Sequence, residues 1–286
     1  MTEQCCSCLS KPVDFDVYLC EKCARDFGIF NKESLRQFYQ VSFPVIRTAI
    51  SVYSGFLKKN SSARETDGGG PLAVAISPTI TFQNARRFLY LDRLLRLVQD
   101  IQGDVVECGV GAGLSMLHIA TICTDQYPHR NLWGFDSFEG FPQPQEYDRG
   151  SRESQKGDWS KSEHGHSVLK LLLDCYAMYG ITPEWIQSHL TLVKGFFDKT
   201  LKDYPGDKIV LLHLDCDLYE SYKTSLTELY PKVSVGGIIA VDEYLGTKEQ
   251  EHYPGAKIAI EEYIADKQVK LYRDKYLGKY FFLKLA

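Results

Sequence analysis

The feature that most constrains the fold is a glycine-rich loop within residues 104–115, which read DVVECGVGAGLS. A short apolar run leads to an acidic residue, Glu107. Glycines then occupy three alternate positions, Gly109, Gly111 and Gly113, before a helical segment. Open α/β sheets build nucleotide sites in this order, because glycines let the backbone of a loop approach the ligand closely. Three interpretations stay open: a cradle for a dinucleotide pyrophosphate, a site for S-adenosylmethionine, or a tight turn without a ligand.

Segments typical of strands and helices alternate along most of the chain, which predicts an α/β fold with a doubly wound, Rossmann-like parallel sheet. Two of the strands are almost entirely apolar, as strands covered on both faces are. The predicted strands are 104–108, 131–136, 189–193, 208–215 and 237–242. The predicted helices are 84–99, 114–123, 168–179, 219–233 and 257–267.

The last part of the sequence departs from that alternation. Two further strand-like segments, 269–272 and 280–285, are joined by a turn around Gly278. They predict a C-terminal antiparallel hairpin and an antiparallel edge strand. This ending favours the sheet of a class I methyltransferase over an all-parallel dinucleotide-binding domain.

Composition excludes several classes of function. The 286 residues are 44% apolar and 24% charged, as in ordinary globular proteins, and the formal net charge of −4 lacks the basic excess of nucleic-acid-binding proteins. No apolar run reaches the roughly 18–20 residues that span a bilayer. The first residues show neither the basic nor the apolar region of a secretory signal. We therefore expect a cytoplasmic protein without nucleic-acid or membrane partners.

The N-terminus is rich in cysteine, with five of the nine cysteines in the first 23 residues. Cys5, Cys8, Cys20 and Cys23 form two CxxC pairs, a spacing typical of a four-thiolate structural zinc site. Free thiols or a disulfide pair are the alternatives, and Cys6 is a rival ligand. The cysteines in the apolar segments are expected to be small buried side chains; they are Cys108, Cys123, Cys175 and Cys216.

The sequence suggests three regions. Residues 1–30 form the predicted zinc-binding module, residues 31–70 a helical lid or linker that ends in a polar glycine-rich stretch, and residues 71–286 the main α/β domain. A module as short as the first cannot build its own core, which is why a metal would help it to fold. We expect it to serve in docking, either to a second copy of the chain or to a protein partner.

Acidic residues follow the predicted strands. Asp136 ends the second strand, where a carboxylate can accept both ribose hydroxyls of an adenosine, although a solvated turn acid is the alternative. Asp215 follows the fourth strand, and Asp242 and Glu243 follow the fifth. Adjacent ends of parallel strands share one crevice, and clustered carboxylates there indicate a site for Mg²⁺ or another hard cation. Asp217 is expected instead to cap the next helix.

Four ordered blocks, DVVECGV, FDSFEG, LDCDLYES and GGIIAVDEY, together resemble the macrocin O-methyltransferase family. Members of that family are Mg²⁺-dependent and S-adenosylmethionine-dependent enzymes that methylate sugar hydroxyls on natural products. The resemblance covers roughly residues 71–286 and leaves the cysteine-rich module unexplained.

The resemblance implies a set of site residues. The implied contacts to the methionine part of the cofactor are Glu107, Cys108, Gly109, Val110 and Gly111. Those implied around the ribose are Asp136, Ser137, Phe138, Glu139 and Gly140. Those implied near the adenosine are Ser167, Gly195 and Phe196, and Thr79 is implied to contribute from the N-terminal side. The implied metal ligands are Asp215, Asp242 and Glu243, where the family usually has two consecutive aspartates after the last strand.

These assignments lead to a hypothesis of a divalent-metal-dependent O-methyltransferase that acts on a sugar or polyol, with Asp215 as metal ligand and base. His164 and His166 are rival bases, whereas His213 is expected to belong to the core. Residues 141–167 form a polar segment expected to be a lid, in which Trp159 either stacks on a sugar or anchors the lid. The alternatives are a nicotinamide-dependent oxidoreductase and a non-catalytic nucleoside-binding adaptor docked through the zinc module.

Overall fold

The computed structural model describes residues 82–160, 172–173, 176–177, 180–245, 249–274 and 277–285. Apart from Gly180, these residues belong to one compact unit, Gly70–Ala177 with Ile181–Ala286. Several predictions fall outside the described residues: the zinc module, the segment 31–70, and the side chains of Thr79, His164, His166, Ser167 and Cys175. The predicted helix 168–179 is described only in part, and the predicted domain boundaries stay predictions.

Seven strands form one sheet in the order β3-β2-β1-β4-β5-β7-β6. They are β1 Asp104–Cys108, β2 Leu132–Asp136, β3 Leu190–Lys194, β4 Ile209–Leu214, β5 Val233–Val241, β6 Leu271–Arg273 and β7 Tyr280–Leu283. Strands β1 to β5 pair in parallel, which confirms the predicted doubly wound sheet.

The C-terminal hairpin differs from the prediction in one respect. Strand β7 pairs antiparallel with both β5 and β6, so the antiparallel strand lies inside the sheet, and the edge strand β6 runs parallel to β1–β5. Phe281 and Phe282 of β7 are buried, and insertion beside β5 gives these two side chains a place in the core.

The described helices are α1 Phe82–Leu97, α2 Leu114–Gln126, α3 Pro183–His189, α4 Phe197–Thr200, α5 Tyr219–Leu229, α6 Glu249–His252 and α7 Pro254–Ile264. Prolines explain two differences from the predicted bounds. Helix α7 begins three residues earlier than predicted because Pro254 occupies its first turn, where the missing N–H costs nothing. Helix α5 gives way to a 3-10 turn, Tyr230–Lys232, which contains Pro231.

The core is centred on the middle strands of the sheet. Every residue of β4 is buried, as are the last four residues of β1 and the last five of β5. Helix α1 packs against α2, and α5 packs against α7 and shares a core with β4 and β5. None of the helices in the described part of the chain has the length and hydropathy of a membrane-spanning segment.

Candidate active site

The register of the parallel strands aligns the predicted site residues at the carboxyl edge of the sheet. Glu107 of β1 lies opposite His213 of β4, and the amide of Asp215 donates to the carbonyl of Cys108. The amide of Asp242 likewise donates to the carbonyl of Leu214 at the end of β4. The chain therefore leaves β1, β4 and β5 at the same level, where ligands of open α/β sheets bind.

A cavity of about 1030 Å³ opens at this edge. It lies at the upper end of the roughly 300–1,000 Å³ of ligand sites, which suits two substrates held together. The predicted residues on its wall are Gly109, Val110, Gly111, Asp136, Ser137, Gly140, Phe196, Asp215, Asp242 and Glu243. Five other predicted residues do not line it, namely Glu107, Cys108, Phe138, Glu139 and Gly195, and their contact with a cofactor stays a prediction.

The glycine loop is shaped by two different requirements. A Cβ atom on Gly109 would lie 1.7 Å from the carbonyl oxygen of Asp215, so the loop packs directly on the chain that follows β4. Gly111, with φ +53°, has open space where its Cβ would be, and its amide donates to Asp136 Oδ2 at 2.8 Å. The backbone at Gly111 thus faces the cavity, which fits the close approach of a ligand.

The turn after β2 is closed by its own polar groups. Asp136 Oδ1 accepts from the amide of Phe138 at 2.6 Å, and Phe138 adopts a left-handed φ of 52°. The hydroxyl of Ser137 donates to the carbonyl of Gly140 at 2.8 Å. Phe138 is buried, and Glu139 pairs with Lys194 at 3.0 Å, so these two residues support the turn while Asp136, Ser137 and Gly140 face the cavity.

Glu107 and His213 form a buried pair behind the cavity. Glu107 is 0% exposed, and its Oε1 lies 2.9 Å from His213 Nδ1. Burial lowers the pKa of His213, but the hydrogen bond and charge of Glu107, with the charges of Asp215 and Asp242, more than offset this and raise the pKa above its usual value. His213 is therefore a core residue, as expected, and not a base on the cavity wall. Glu107 Oε2 has no hydrogen-bond partner among the described residues, which leaves it an acceptor for a donor group.

The three predicted metal ligands meet in space. Asp215, Asp242 and Glu243 each offer a carboxylate oxygen, and these oxygens all lie within 4.8 Å of one another. Asp215 is partly exposed, whereas Asp242 and Glu243 are buried. Three oxygen donors at this spacing, on the wall of a cavity, fit a hard divalent cation.

Neighbouring groups hold two of these carboxylates. The hydroxyl of Tyr222 donates to Glu243 Oε2 at 2.7 Å, and the amide of Asp217 donates to the same oxygen at 3.2 Å. Lys279 Nζ donates to Asp242 Oδ2 at 2.5 Å and to the main-chain carbonyl of Asp242 at 2.9 Å. The longer side chain of Glu243 is thus tied to helix α5, and Asp242 is tied to the start of β7.

The pKa values of the cluster reflect burial and the repulsion between its carboxylates. Burial and the charge of Asp242 raise the pKa of Asp215 to about 6. Burial and the charge of Asp215 raise the pKa values of Glu243 and Asp217 well above their usual values. Burial also raises the pKa of Asp242, but the positive charges of Lys279, Arg87 and His213, with the hydrogen bond from Lys279, together outweigh it and the pKa is lowered. A cluster with this much unbalanced charge favours a bound cation.

The expected capping role of Asp217 is not observed. Helix α5 has Leu218 at its N-cap position and no cap from its own side chains. Asp148, from the loop after β2, instead accepts from the amide of Tyr219 at 2.7 Å. Asp217 has a left-handed φ of 60° and lines the cavity next to the carboxylate cluster.

The described part of the predicted lid, residues 141–160, is a closed loop attached to the domain. Its ends are joined by two main-chain bonds, from Phe141 to Asp158 at 2.9 Å and from Gly157 to Phe141 at 3.0 Å. Asp148 is buried, and Ser151 donates to the carbonyl of Glu251 at 2.7 Å. This loop is therefore a wall of the cavity that is fixed along its length.

An aromatic and cationic surface lies on that wall. Trp159 is 53% exposed, and its Nε1 donates to the hydroxyl of Tyr253 at 3.2 Å. The guanidinium of Arg152 lies 4.5 Å from the centroid of the Trp159 ring. Trp159, Arg152 and Tyr253 all line the cavity, which fits the predicted stacking role of Trp159 better than a buried anchor.

Sequence reasoning missed several residues of the cavity and its support, notably Arg87, Arg152, Tyr253 and Lys279. Arg87 lies on a helix outside the strand–loop–helix pattern, and the other three follow no motif with a fixed spacing. Only the exposed polar character of the segment 141–167 pointed toward Arg152.

Comparisons with known proteins identify the family of the chain. The family model of macrocin-O-methyltransferase (TylF) matches residues 59–273. A demethyldecarbamoylnovobiocin O-methyltransferase of Streptomyces niveus is 32% identical over 196 residues, which cover 64% of this chain and 70% of that protein. A tetracenomycin-type rhamnosyl 4'-O-methyltransferase of Streptomyces olivaceus is 30% identical over 154 residues, which cover 52% of this chain and 55% of that protein.

Two solved structures show the same fold. The O-methyltransferase NovP has a TM-score of 0.55 and 29% identity, with 70% of this chain and 80% of NovP covered. The calicheamicin methyltransferase CalS11 has a TM-score of 0.60 and 22% identity, with 96% of this chain and 99% of CalS11 covered.

Proposed function

The chain belongs to the macrocin O-methyltransferase family, and from that premise we propose that it methylates a hydroxyl of a sugar on a glycosylated natural product. The proposed methyl donor is S-adenosylmethionine, and the proposed metal is Mg²⁺ or another divalent cation. The relative from Streptomyces olivaceus is named as the O-methyltransferase of a rhamnosyl compound, which supports the substrate class. Membership of a methyltransferase family also argues against the nicotinamide-dependent and adaptor alternatives.

One observation supports the mechanism above all others: the carboxylate cluster and the glycine loop line the same cavity. Gly109, Gly111 and Asp136 line this cavity together with Asp215 and Asp242. Methyl transfer requires the acceptor oxygen, the methyl carbon and the sulfur to be held in line, and a shared cavity allows this positioning.

The chain's own residues account for binding and proton transfer. The open backbone at Gly111 and the carboxylate of Asp136 hold the donor, which when bound supplies a methyl group on a sulfonium sulfur. Asp215, Asp242 and Glu243 would hold the cation, whose charge when bound favours the acceptor alkoxide. A carboxylate oxygen of Asp215 accepts the hydroxyl proton of the acceptor, and the indole of Trp159 offers a stacking surface for its sugar ring.

The test is transfer of a labelled methyl group from S-adenosylmethionine to a panel of glycosides that carry neighbouring hydroxyls. We expect product with Mg²⁺ present, and a loss of at least about 100-fold with a chelator or with Asp215→Asn. Asp266→Asn, at a fully exposed surface position, is the matched control and should keep full activity. Undiminished transfer in the chelated enzyme would rule out the metal role, and no transfer to any glycoside would count against the substrate class.

We further propose that Cys5, Cys8, Cys20 and Cys23 hold a structural zinc ion, on the strength of their spacing. The cation would hold the short N-terminal module together. The folded module would then dock a second copy of the chain or a protein partner. Metal analysis of protein purified under reducing conditions should find about one equivalent of zinc, and Cys20→Ser should remove it. Less than about half an equivalent would contradict the assignment.

A further inference from the structure

Lys279 places a buried ammonium group inside the carboxylate cluster. It is the residue immediately before β7 and is 4% exposed. Its Nζ donates both to the carboxylate of Asp242 and to the main-chain carbonyl of the same residue. Lysine is rarely buried to this extent unless it is paired, and here its partner is one of the three proposed metal ligands.

The turn before β7 holds the main chain of Lys279 in place. Asp274 is buried, its amide donates to the carbonyl of Lys279 at 2.7 Å, and its carbonyl accepts from Gly278 at 2.7 Å. The Asp274 carboxylate accepts from the amide of Leu277 at 2.7 Å and pairs with Arg93 of helix α1 at 2.9 Å. The main chain of Lys279 is therefore held by the turn and, through Asp274, linked to α1, which places its side chain within reach of Asp242.

The position of Lys279 has two electrostatic consequences. Its positive charge compensates one of the three carboxylates, so the cluster can stay folded when no metal is bound. The same charge repels a divalent cation bound by Asp215, Asp242 and Glu243, and it occupies Oδ2 of Asp242, one of the two oxygens of that carboxylate.

From these contacts we propose that Lys279 is a positioning residue that acts as a built-in counter-ion: it holds Asp242 in place without metal and weakens divalent-cation binding at the cluster. This inference rests on the proposed metal site. It implies that the enzyme exchanges its cation readily and remains folded between cycles of metal binding.

The primary experiment measures Mn²⁺ binding by electron paramagnetic resonance, on the full chain and without substrate. Lys279→Met removes the charge and keeps an unbranched side chain that is one atom shorter. We expect it to bind Mn²⁺ at least about tenfold more tightly than the wild type. Lys279→Arg keeps the charge and should stay within about threefold of the wild type.

A matched control removes the lysine at the other end of strand β7. Lys284 follows β7, and its Nζ donates to the carbonyls of Tyr230 and Pro231, away from the cluster. Lys284→Met should leave Mn²⁺ affinity unchanged. A change equal to that of Lys279→Met would show that any perturbation of this region alters the site, and would overturn the proposal.

Thermal unfolding provides an independent readout that does not depend on activity. The metal-free Lys279→Met protein should unfold at a lower temperature than the wild type, because the buried carboxylate of Asp242 has lost its ammonium partner. Saturating Mg²⁺ should raise its Tm by more than it raises the wild-type Tm, since tighter binding gives greater stabilisation. If Lys279→Met folds only with metal, that result also supports the proposal.

The outcomes separate this inference from the proposed function. If the wild type binds Mn²⁺ and Lys279→Met binds it equally or more weakly, the counter-ion role is wrong and the metal site stands. If only Lys279→Met binds Mn²⁺, the counter-ion role is supported and metal dependence of the wild type is contradicted. If neither protein binds Mn²⁺, both proposals fail.

Discussion

At the scale of single residues, two glycines of one loop meet opposite environments. The Cβ of an alanine at position 109 would collide with the carbonyl oxygen of Asp215, whereas at Gly111 the Cβ would enter open space. Both residues have positive φ values, 93° at Gly109 and 53° at Gly111, so each substitution also carries a backbone cost of about 1–2 kcal/mol. The collision at Gly109 is therefore the main difference between the two variants.

We predict that Gly109→Ala destabilises the protein by more than about 3 kcal/mol, because the loop and the chain after β4 must separate. Gly111→Ala should fold with a loss of only about 1–2 kcal/mol, but it should bind S-adenosylhomocysteine at least about tenfold more weakly. Urea unfolding and isothermal titration measure the two effects. Equal stability of the two variants would contradict the close packing described for Gly109.

A second prediction concerns His118 of helix α2, a buried histidine whose Nδ1 has no hydrogen-bond partner among the described residues. Burial, and to a lesser extent the charge of Arg87, lower its pKa to about 3. The folded protein keeps this imidazole neutral while the unfolded chain takes up a proton below about pH 6.5. Its contribution to stability is therefore complete above pH 6.5 and is lost as the pH falls toward 3.

The loss amounts to about 2 kcal/mol between pH 8 and pH 5 for this one group. His118→Leu should remove that part of the pH dependence, as measured by urea midpoints at the two pH values. His129→Gln, at an exposed position, is the control and should leave the pH dependence of the wild type intact. An identical pH dependence in His118→Leu would show that the histidine is protonated in the folded protein.

The sequence alone could predict the place of some residues in the site but not of others. Asp215 and Asp242 were predictable because each follows an apolar strand, and parallel strands bring their carboxyl ends together. Lys279 was not, since no pattern connects it with Asp242, 37 residues earlier. The contact depends on where β7 enters the sheet, and that is a property of the packed domain.

At the scale of elements, the loop 141–160 depends on Asp148. Its carboxylate accepts from the amide of Gln145 at 2.8 Å within the loop and from the amide of Tyr219 at 2.7 Å at the start of α5. A Cβ on Gly255 would lie 2.1 Å from Asp148 Oδ1, so the loop also packs closely on helix α7. One buried carboxylate thus joins the cavity wall to two helices.

Asp148→Ala should therefore loosen the wall and lower the stability of the protein by about 2–4 kcal/mol, the loss expected for charge-assisted hydrogen bonds in a buried site. Limited proteolysis should cut within residues 141–160 faster in this variant than in the wild type. Glu146→Gln, an exposed change in the same 3-10 turn, should be cut at the wild-type rate. Resistance of Asp148→Ala to the protease would mean that other contacts hold the loop.

The helices and strands were predictable in their interiors and less so at their ends. Apolar periodicity located helices α1, α2 and α5 and all five parallel strands. The first turn of α7 was missed because Pro254, a residue that breaks helices elsewhere, is accepted at that position. The cap of α5 was also missed, because it comes from Asp148, 71 residues earlier in the chain.

At the scale of the whole molecule, alternation of strands and helices was enough to predict the sheet, and four short blocks were enough to predict the family. The position of β7 was not predictable, because a hairpin can pair with the end of a sheet through either of its strands. Burial of Phe281 and Phe282 beside β5 decides between the two. This difference matters for the site, since the order β5-β7-β6 brings Lys279 to the carboxylate cluster.

The insertion of β7 also sets an order of events during synthesis. Strands β1 to β5 leave the ribosome before β7, so a growing chain carries β5 with an unpaired edge until residues 280–283 are available. Such an edge is a template for pairing with other chains. The carboxylates of Asp215, Asp242 and Glu243 also lack their ammonium neighbour during this interval. Completion of the turn that ends at Lys279, and of the strand that follows it, therefore supplies both the partner of β5 and the positive charge beside Asp242.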